Sequence, residues 1–347
     1  MTGEPISAVH TAALQCYLDD ALGDHVAITV TPMVGGGSCE VFAIDRGPEH
    51  WVLRRAPHHA SSATAHDVLR EFRILDAIKD ESVAIARPVV ACDDPEVFGS
   101  PFYVMQRIDG RPILQAVPDR WAAAPESHGR ALEELIDALV AIHAVHWQSC
   151  GLGDMAHPGN YLSRQRTRWL TQLDSYGGRD LPAAHWISDW LEANRPADQP
   201  SALCHGDYKL DNVLFALDAP PRLLAVVDWE MAAIGDPVVD LAWALVFLPG
   251  PEGTIPLGMS KEPRFDVAHL PDRASLVERY TTRSGRSTAT IGWYDVFARW
   301  KLAIVLEGSY AKFLRGQSDK PMHEYFGAQV DVLLDSATTL IDQGDAT

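Results

Sequence analysis

Cysteine is sparse and scattered in this 347-residue chain. Cys16, Cys39, Cys92, Cys150 and Cys204 are odd in number and contain no C-x-x-C, which argues against a disulfide framework or a structural zinc cluster and for a reducing, cytoplasmic setting. No apolar run approaches the roughly 18 residues of a membrane span, and no basic-then-apolar leader opens the sequence, so membrane insertion is not expected. Positive charge is also short: 29 Lys and Arg stand against 47 Asp and Glu, a net charge of −18. Such a balance disfavours nucleic acid as a partner, because that binding requires phosphate neutralisation. It suits either plain solubility or the gathering of small cationic molecules near an acidic cleft. Internal repeats and low-complexity segments are absent. The chain is 47% hydrophobic, enough to bury one or two cores, and its charged fraction argues against disorder.

What is present is concentrated in one stretch. His205-Gly206-Asp207-Tyr208-Lys209-Leu210-Asp211-Asn212 is followed, after a short apolar strand, by Asp228-Trp229-Glu230. A carboxylate, a Lys two residues on, an Asn five residues on and a second carboxylate about twenty residues later have the spacing of a kinase catalytic loop and its metal-binding Asp. Phosphoryl transfer asks the protein mainly for positioning and charge neutralisation. The spacing predicts Asp207 as the group accepting the proton of an incoming hydroxyl and Lys209 as a cation leaning on the transferring phosphoryl. Asn212 and Asp228 would be oxygen ligands to Mg2+ on the phosphates of ATP. Apolar runs on either side, Ser201 to Cys204 and Val213 to Phe215, predict short strands that fix the loop. Upstream, Gly35, Gly36, Gly37 and Ser38 lie between two alternating apolar runs, 27–34 and 39–44, the pattern of a strand-loop-strand cover whose backbone N–H groups reach an anion.

The HGDYKLDN loop, with Gly where protein kinases usually carry Arg, and the downstream VVDWEMAAIGDPVVDLAW resemble the aminoglycoside phosphotransferase (APH) superfamily, which phosphorylates small-molecule hydroxyls. The resemblance runs from about residue 35 to about residue 316. It implies an α+β, protein-kinase-like two-lobed fold: residues 1–107 as a small antiparallel-sheet lobe with one helix covering the nucleotide, and 108–347 as a larger, mostly helical lobe. It maps the base to Asp207 and the metal ligands to Asn212 and Asp228. It also places Arg54 where kinases hold a phosphate-pairing Lys, gives Glu71 the role of ordering that cation, and sets backbone groups of Gln106 and Ile108 against the adenine. Toward the C terminus, Tyr294 to Ala303 and Glu307 to Tyr310 resemble the branch associated with acyl-CoA dehydrogenases. That tilts the acceptor toward a hydroxylated metabolite or hydroxyacyl thioester, with an amino sugar still open.

Periodicity predicts a one-sided helix from Ser62 to Lys79, another from Ala131 to His146 with Leu132, Leu135, Ile136, Leu139 and Val140 on one face, and a long amphipathic helix from Ile291 to Leu314. Regions 151–200 and 249–271 read as irregular, and both are expected to shape the substrate pocket. Trp147, Trp169, Trp186 and Trp190 are expected as core anchors rather than pocket lining. His143 and His146 are explained by their helical setting rather than by a metal. Three other functions make demands that this sequence does not meet. A silent nucleotide-binding module would be expected to have lost Asp207 or Asp228. A protein kinase would need more chain between Asp228 and Asp236. A hydrolase would need a nucleophile arrangement that is not evident.

Overall fold

The computed structural model of the protein describes residues 8–33, 39–56, 67–113, 117–156, 161–250 and 265–344. In chain order its elements begin with helix α1 (Ala8–Leu22), strands β1 (Ile28–Pro32), β2 (Glu40–Arg46) and β3 (Glu49–Arg55), and helix α2 (Val68–Ile78). Next come β4 (Pro88–Cys92), the one-turn helix α3 (Pro95–Phe98) and β5 (Phe102–Gln106). The five strands form one antiparallel sheet in the order β1-β2-β3-β5-β4. The glycine-rich segment Gly35 to Ser38 lies outside the described residues, as do residues 62–66 of the helix expected from Ser62. The described helix starts at Val68, with the Asp67 side chain accepting from the Arg70 N–H as its N-cap.

The period of two along β3 decides what each face does. Trp51 and Leu53 join Phe42, Ile44, Phe102 and Val104 in a core under α1. Val52, Tyr103 and Met105 point the other way, into the core shared with α2 and the larger lobe. Consecutive arginines at the strand end are thereby separated. Arg55 donates to Glu40 and to the Phe98 carbonyl on the α1 side, while Arg54 shares the face of Val52, toward the other lobe.

The larger lobe contains α4 (Asp119–Ala122), α5 (His128–His143), α6 (Tyr161–Ser175), α7 (Pro182–Ala193), the short strands β6 (Ala202–Cys204), β7 (Val213–Phe215), β8 (Leu223–Val226) and β9 (Ala233–Gly235), and helices α8 (Pro237–Val246), α9 (Arg273–Ser284), α10 (Ile291–Leu314) and α11 (Pro321–Asp342). β7 pairs with β8 and β6 with β9, both antiparallel. The fold is α+β, a small antiparallel sheet lobe beside a mostly helical one. Among the described residues, no helix is long and apolar enough to cross a membrane.

Four expectations need correcting. The supposedly irregular region 151–200 carries two helices, α6 and α7. The polar composition of α6 hides a narrow stripe, Leu162, Trp169 and Leu173, that suffices to pack it. Helix α10 has the expected bounds but is not amphipathic: buried residues, including Lys301 and Glu307, lie on all its sides because α6, α7, α8 and α11 pack around it. Helix α5 runs three residues earlier than expected at both ends, with the expected Leu132 to Leu139 face buried. Among the tryptophans, Trp169 is a buried anchor and Trp190 packs half-buried against the same core, but Trp186 is 46% exposed and anchors nothing. Of region 249–271, residues 251–264 lie outside those described.

Candidate active site

The loop 205–212 follows β6 and is held from several sides. Gly206 has φ +85°, and a Cβ there would stand 2.3 Å from the Met231 carbonyl oxygen, so only glycine fits this turn. Asp240, inside α8, accepts from the backbone N–H groups of His205 and Gly206. The Tyr208 hydroxyl donates to the Leu135 carbonyl at 2.6 Å, fastening the loop to α5. Asp240 is an acidic residue in an otherwise apolar helix, where a carboxylate must find partners to be buried at all. In sequence, its place in that apolar run is the signal of its role as the loop's anchor.

Asp207 lies at the centre. Its Oδ2 accepts from Lys209 Nζ at 2.6 Å and from Asn212 Nδ2 at 2.9 Å, and its Oδ1 from Trp243 Nε1 at 2.9 Å. Burial pushes the carboxyl up, but Lys209, His205 and the Trp243 N–H together outweigh it and hold the group below the ordinary aspartate range. Asn212 also donates to the Asp207 carbonyl, so its amide N–H groups are committed to Asp207 and its side-chain oxygen remains to serve as a ligand.

Asp228 follows β8 with φ 69°, the one described non-glycine residue in the left-handed region. Its Oδ1 accepts from Arg54 Nη2 at 3.0 Å, and Arg54 Nη1 donates to Glu71 at 3.1 Å. The Glu71 carboxylate also accepts the Trp229 N–H at 3.0 Å, and Arg70 donates to the Glu230 and Ala232 carbonyls. Strand β3, helix α2 and the segment after Asp228 are therefore tied together across the two lobes. Burial disfavours charge on Arg54, yet Glu71 and Asp228 overcome it and raise its pKa. Burial likewise pushes the Glu71 carboxyl up, with Arg54 acting in the opposite direction.

The structure brings together Asp207, Lys209 and Asn212 as one cluster, and Arg54, Glu71 and Asp228 as another. At the end of β5, the Gln106 N–H is spent on the Arg87 carbonyl and the Arg107 N–H on that of His50. Of the two backbone positions expected to meet a base, Gln106 is thus left with its carbonyl only. The Ile108 N–H donates to no backbone carbonyl among the described residues. His143 meets Cys204 and Asp240, with possible ligand atoms all within 4.8 Å of one another, while His146 is exposed. His143 Nδ1 shares a 2.7 Å hydrogen bond with the Tyr280 hydroxyl, in keeping with a packed histidine.

A family model described as "Phosphotransferase enzyme family" (APH) matches residues 29–275. Acyl-CoA dehydrogenase family member 11 of Gallus gallus is 30% identical over 318 residues, which cover 90% of this chain but only 40% of that protein. Viomycin phosphotransferase of Streptomyces vinaceus is 51% identical over 146 residues, 41% of this chain and 48% of that one. A solved structure of a candidate aminoglycoside phosphotransferase from Ralstonia eutropha JMP134 superposes with a TM-score of 0.81 at 27% identity, covering 96% of this chain and 98% of that one. The chain belongs to the APH phosphotransferase family.

Proposed function

We propose that the chain is an ATP-dependent phosphotransferase acting on a hydroxyl of a small molecule. The observation that carries this reading is the pair of clusters on adjoining segments, joined where the Val227 N–H donates to the Asn212 carbonyl: Asp207 held by Lys209, Asn212 and Trp243, and Asp228 held by Arg54. All the uncommitted donors are hard oxygens, from the Asn212 amide and the Asp228 carboxylate, and this set suits Mg2+ rather than a soft metal. Asn212 and Asp228 would hold the ion, whose chemistry when bound is to neutralise charge on the phosphates. Asp207 accepts the acceptor's proton, with Lys209 available to the transferring group as the carboxylate takes up that proton. Arg54, kept in place by Glu71, pairs with phosphate oxygens in place of the usual Lys. Gly35, Gly36, Gly37 and Ser38 cover the phosphates. The Gln106 carbonyl and Ile108 N–H meet the base, and the lobes divide after residue 107. We place the chain in a reducing, cytoplasmic setting, as none of its five cysteines is paired in a disulfide.

The match to acyl-CoA dehydrogenase family proteins and the length of matching chain favour a metabolite or thioester acceptor over an amino sugar. Purified protein should be incubated with Mg-ATP and, separately, kanamycin-type amino sugars, hydroxyacyl thioesters and generic protein substrates. Phosphate incorporation into a small molecule is the expected result. Efficient labelling of protein Ser or Thr with no small molecule turned over would overturn the reading.

Asp228→Asn removes an anionic ligand while keeping the side-chain shape. Mg-dependent nucleotide binding is expected to weaken by roughly 10- to 100-fold, the scale on which altering a metal site acts. Calorimetric titration of Mg-ATP checks this, and equal affinities for both proteins at every magnesium concentration would leave Asp228 a structural residue only.

A further inference from the structure

Lys301 is a charged residue in the middle of α10, a helix packed against by α6, α7, α8 and α11. It is 6% exposed, in a sequence, Trp300-Lys301-Leu302-Ala303, that otherwise reads as core. Its ammonium donates to the Gly206 carbonyl at 3.0 Å. It also stands 3.9 Å from the centroid of the Trp243 ring and 5.4 Å from that of Trp169, close cation–π distances. Trp243 is the residue whose indole N–H donates to Asp207. One buried cation therefore touches both the residue before Asp207 and the side chain that orients it.

We infer that Lys301 is a positioning residue of the transfer loop, fixing the Gly206 carbonyl and the Trp243 ring so that Asp207 faces the acceptor. The inference rests on the reading of Asp207 as the base. A mere space-filling role would be better served by Met or Leu, since burying an ammonium is costly unless its charge is used.

The groups facing Lys301 come from several elements. Asp207 on the loop and Asp240 on α8 favour its charge, while Arg168 on α6 and Lys209 on the loop oppose it. Burial is the largest influence and brings the amine down to about 8 from 10.5. Above that pH the neutral amine gives a weaker hydrogen bond and no cation to the indole face. Transfer is thus expected to fall as pH rises through about 8. Stability moves the other way. The unfolded chain holds the extra proton between about 8 and 10.5, so this group's contribution to stability rises with pH across that window.

The test compares the full chain with Lys301→Met and Lys301→Gln. In Lys301→Met, kcat should fall about tenfold, the loss expected when a charge-assisted hydrogen bond is removed. The KM for nucleotide should stay near wild type, the alkaline limb should disappear, and amides of residues 205–212 should exchange faster with deuterium. Lys301→Gln keeps a donor without the charge, and it should recover part of kcat yet show no limb. A Met variant with wild-type kcat, the same alkaline limb and unchanged loop exchange overturns the inference. Should the wild type phosphorylate no acceptor, the proposed activity fails. Loop exchange then decides alone, and unchanged protection in both variants overturns the positioning role.

Discussion

Asp207→Ala is expected to lower phosphate transfer by about 10²–10⁴-fold, the range for losing a general base, while nucleotide affinity stays close to that of the wild type. Three donors converge on this carboxylate, from Lys209, Asn212 and Trp243. The alanine variant leaves them without their acceptor, so part of the loss could come from a disturbed loop. Asp207→Asn separates the two effects, because it keeps a side-chain oxygen but cannot take up a proton. Both variants should be slow in single-turnover transfer, and both should bind Mg-ATP by calorimetry. Full activity in either would remove Asp207 from the chemistry. The pH dependence follows from the environment. Lys209, His205 and the Trp243 N–H hold the carboxyl below the ordinary aspartate range, so Asp207 remains ionised and transfer should show no acid limb until pH falls under that range. The same depression means that its contribution to stability is present above the unfolded value and is lost as pH falls through the folded one.

Asp207, Lys209 and Asn212 were legible as one cluster because they lie within six residues, and a tight loop forces neighbours in sequence to be neighbours in space; the Trp243 donor, 36 positions on, was not. The strands flanking the loop and the bounds of α10 were legible from apolar runs with sharp ends, whereas β4 and β9 were not. What stayed hidden needed tertiary contact. Lys301 is 94 positions from Asp207, and an isolated Lys in an apolar helix does not say which carbonyl it serves. Arg54 and its partner Glu71 came from the family resemblance and not from pattern, since Arg54 and Arg55 are equivalent in composition. Only the pleat of β3 and the side on which α1 packs decide that Arg54 meets Glu71 and Asp228 while Arg55 meets Glu40. Helix α6 is not legible because only three of its four buried residues are apolar, within a polar sequence, too weak a periodicity to distinguish from a loop. The burial of α10 on all sides depends on how many helices surround it, which no single segment encodes.

Arg54→Met is expected to be the most destabilising of these changes, at about 3–5 kcal/mol, because it strands one partner of a buried ion pair. Glu71 is 1% exposed and would keep only the Trp229 N–H, while Asp228, partly exposed, can turn to water. Without Arg54, burial and the nearby Asp228 charge raise the Glu71 carboxyl further above its unfolded value, opposed by the Trp229 N–H. A group raised in this way favours the fold while protonated and loses that contribution as pH rises through its folded value. The deficit of Arg54→Met should therefore be largest at neutral pH and shrink on acidification toward the carboxylate range. Denaturant unfolding at several pH values measures it. Adding Glu71→Met removes the stranded charge, and two apolar side chains of similar length should recover much of the stability, as replacement of whole buried pairs often does. Transfer activity should not return with it, since neither methionine can pair with a phosphate or hold Asp228. A single variant with the wild-type midpoint would mean that the pair contributes nothing to the fold. A double variant that regains transfer would mean that Arg54 has no part in the reaction.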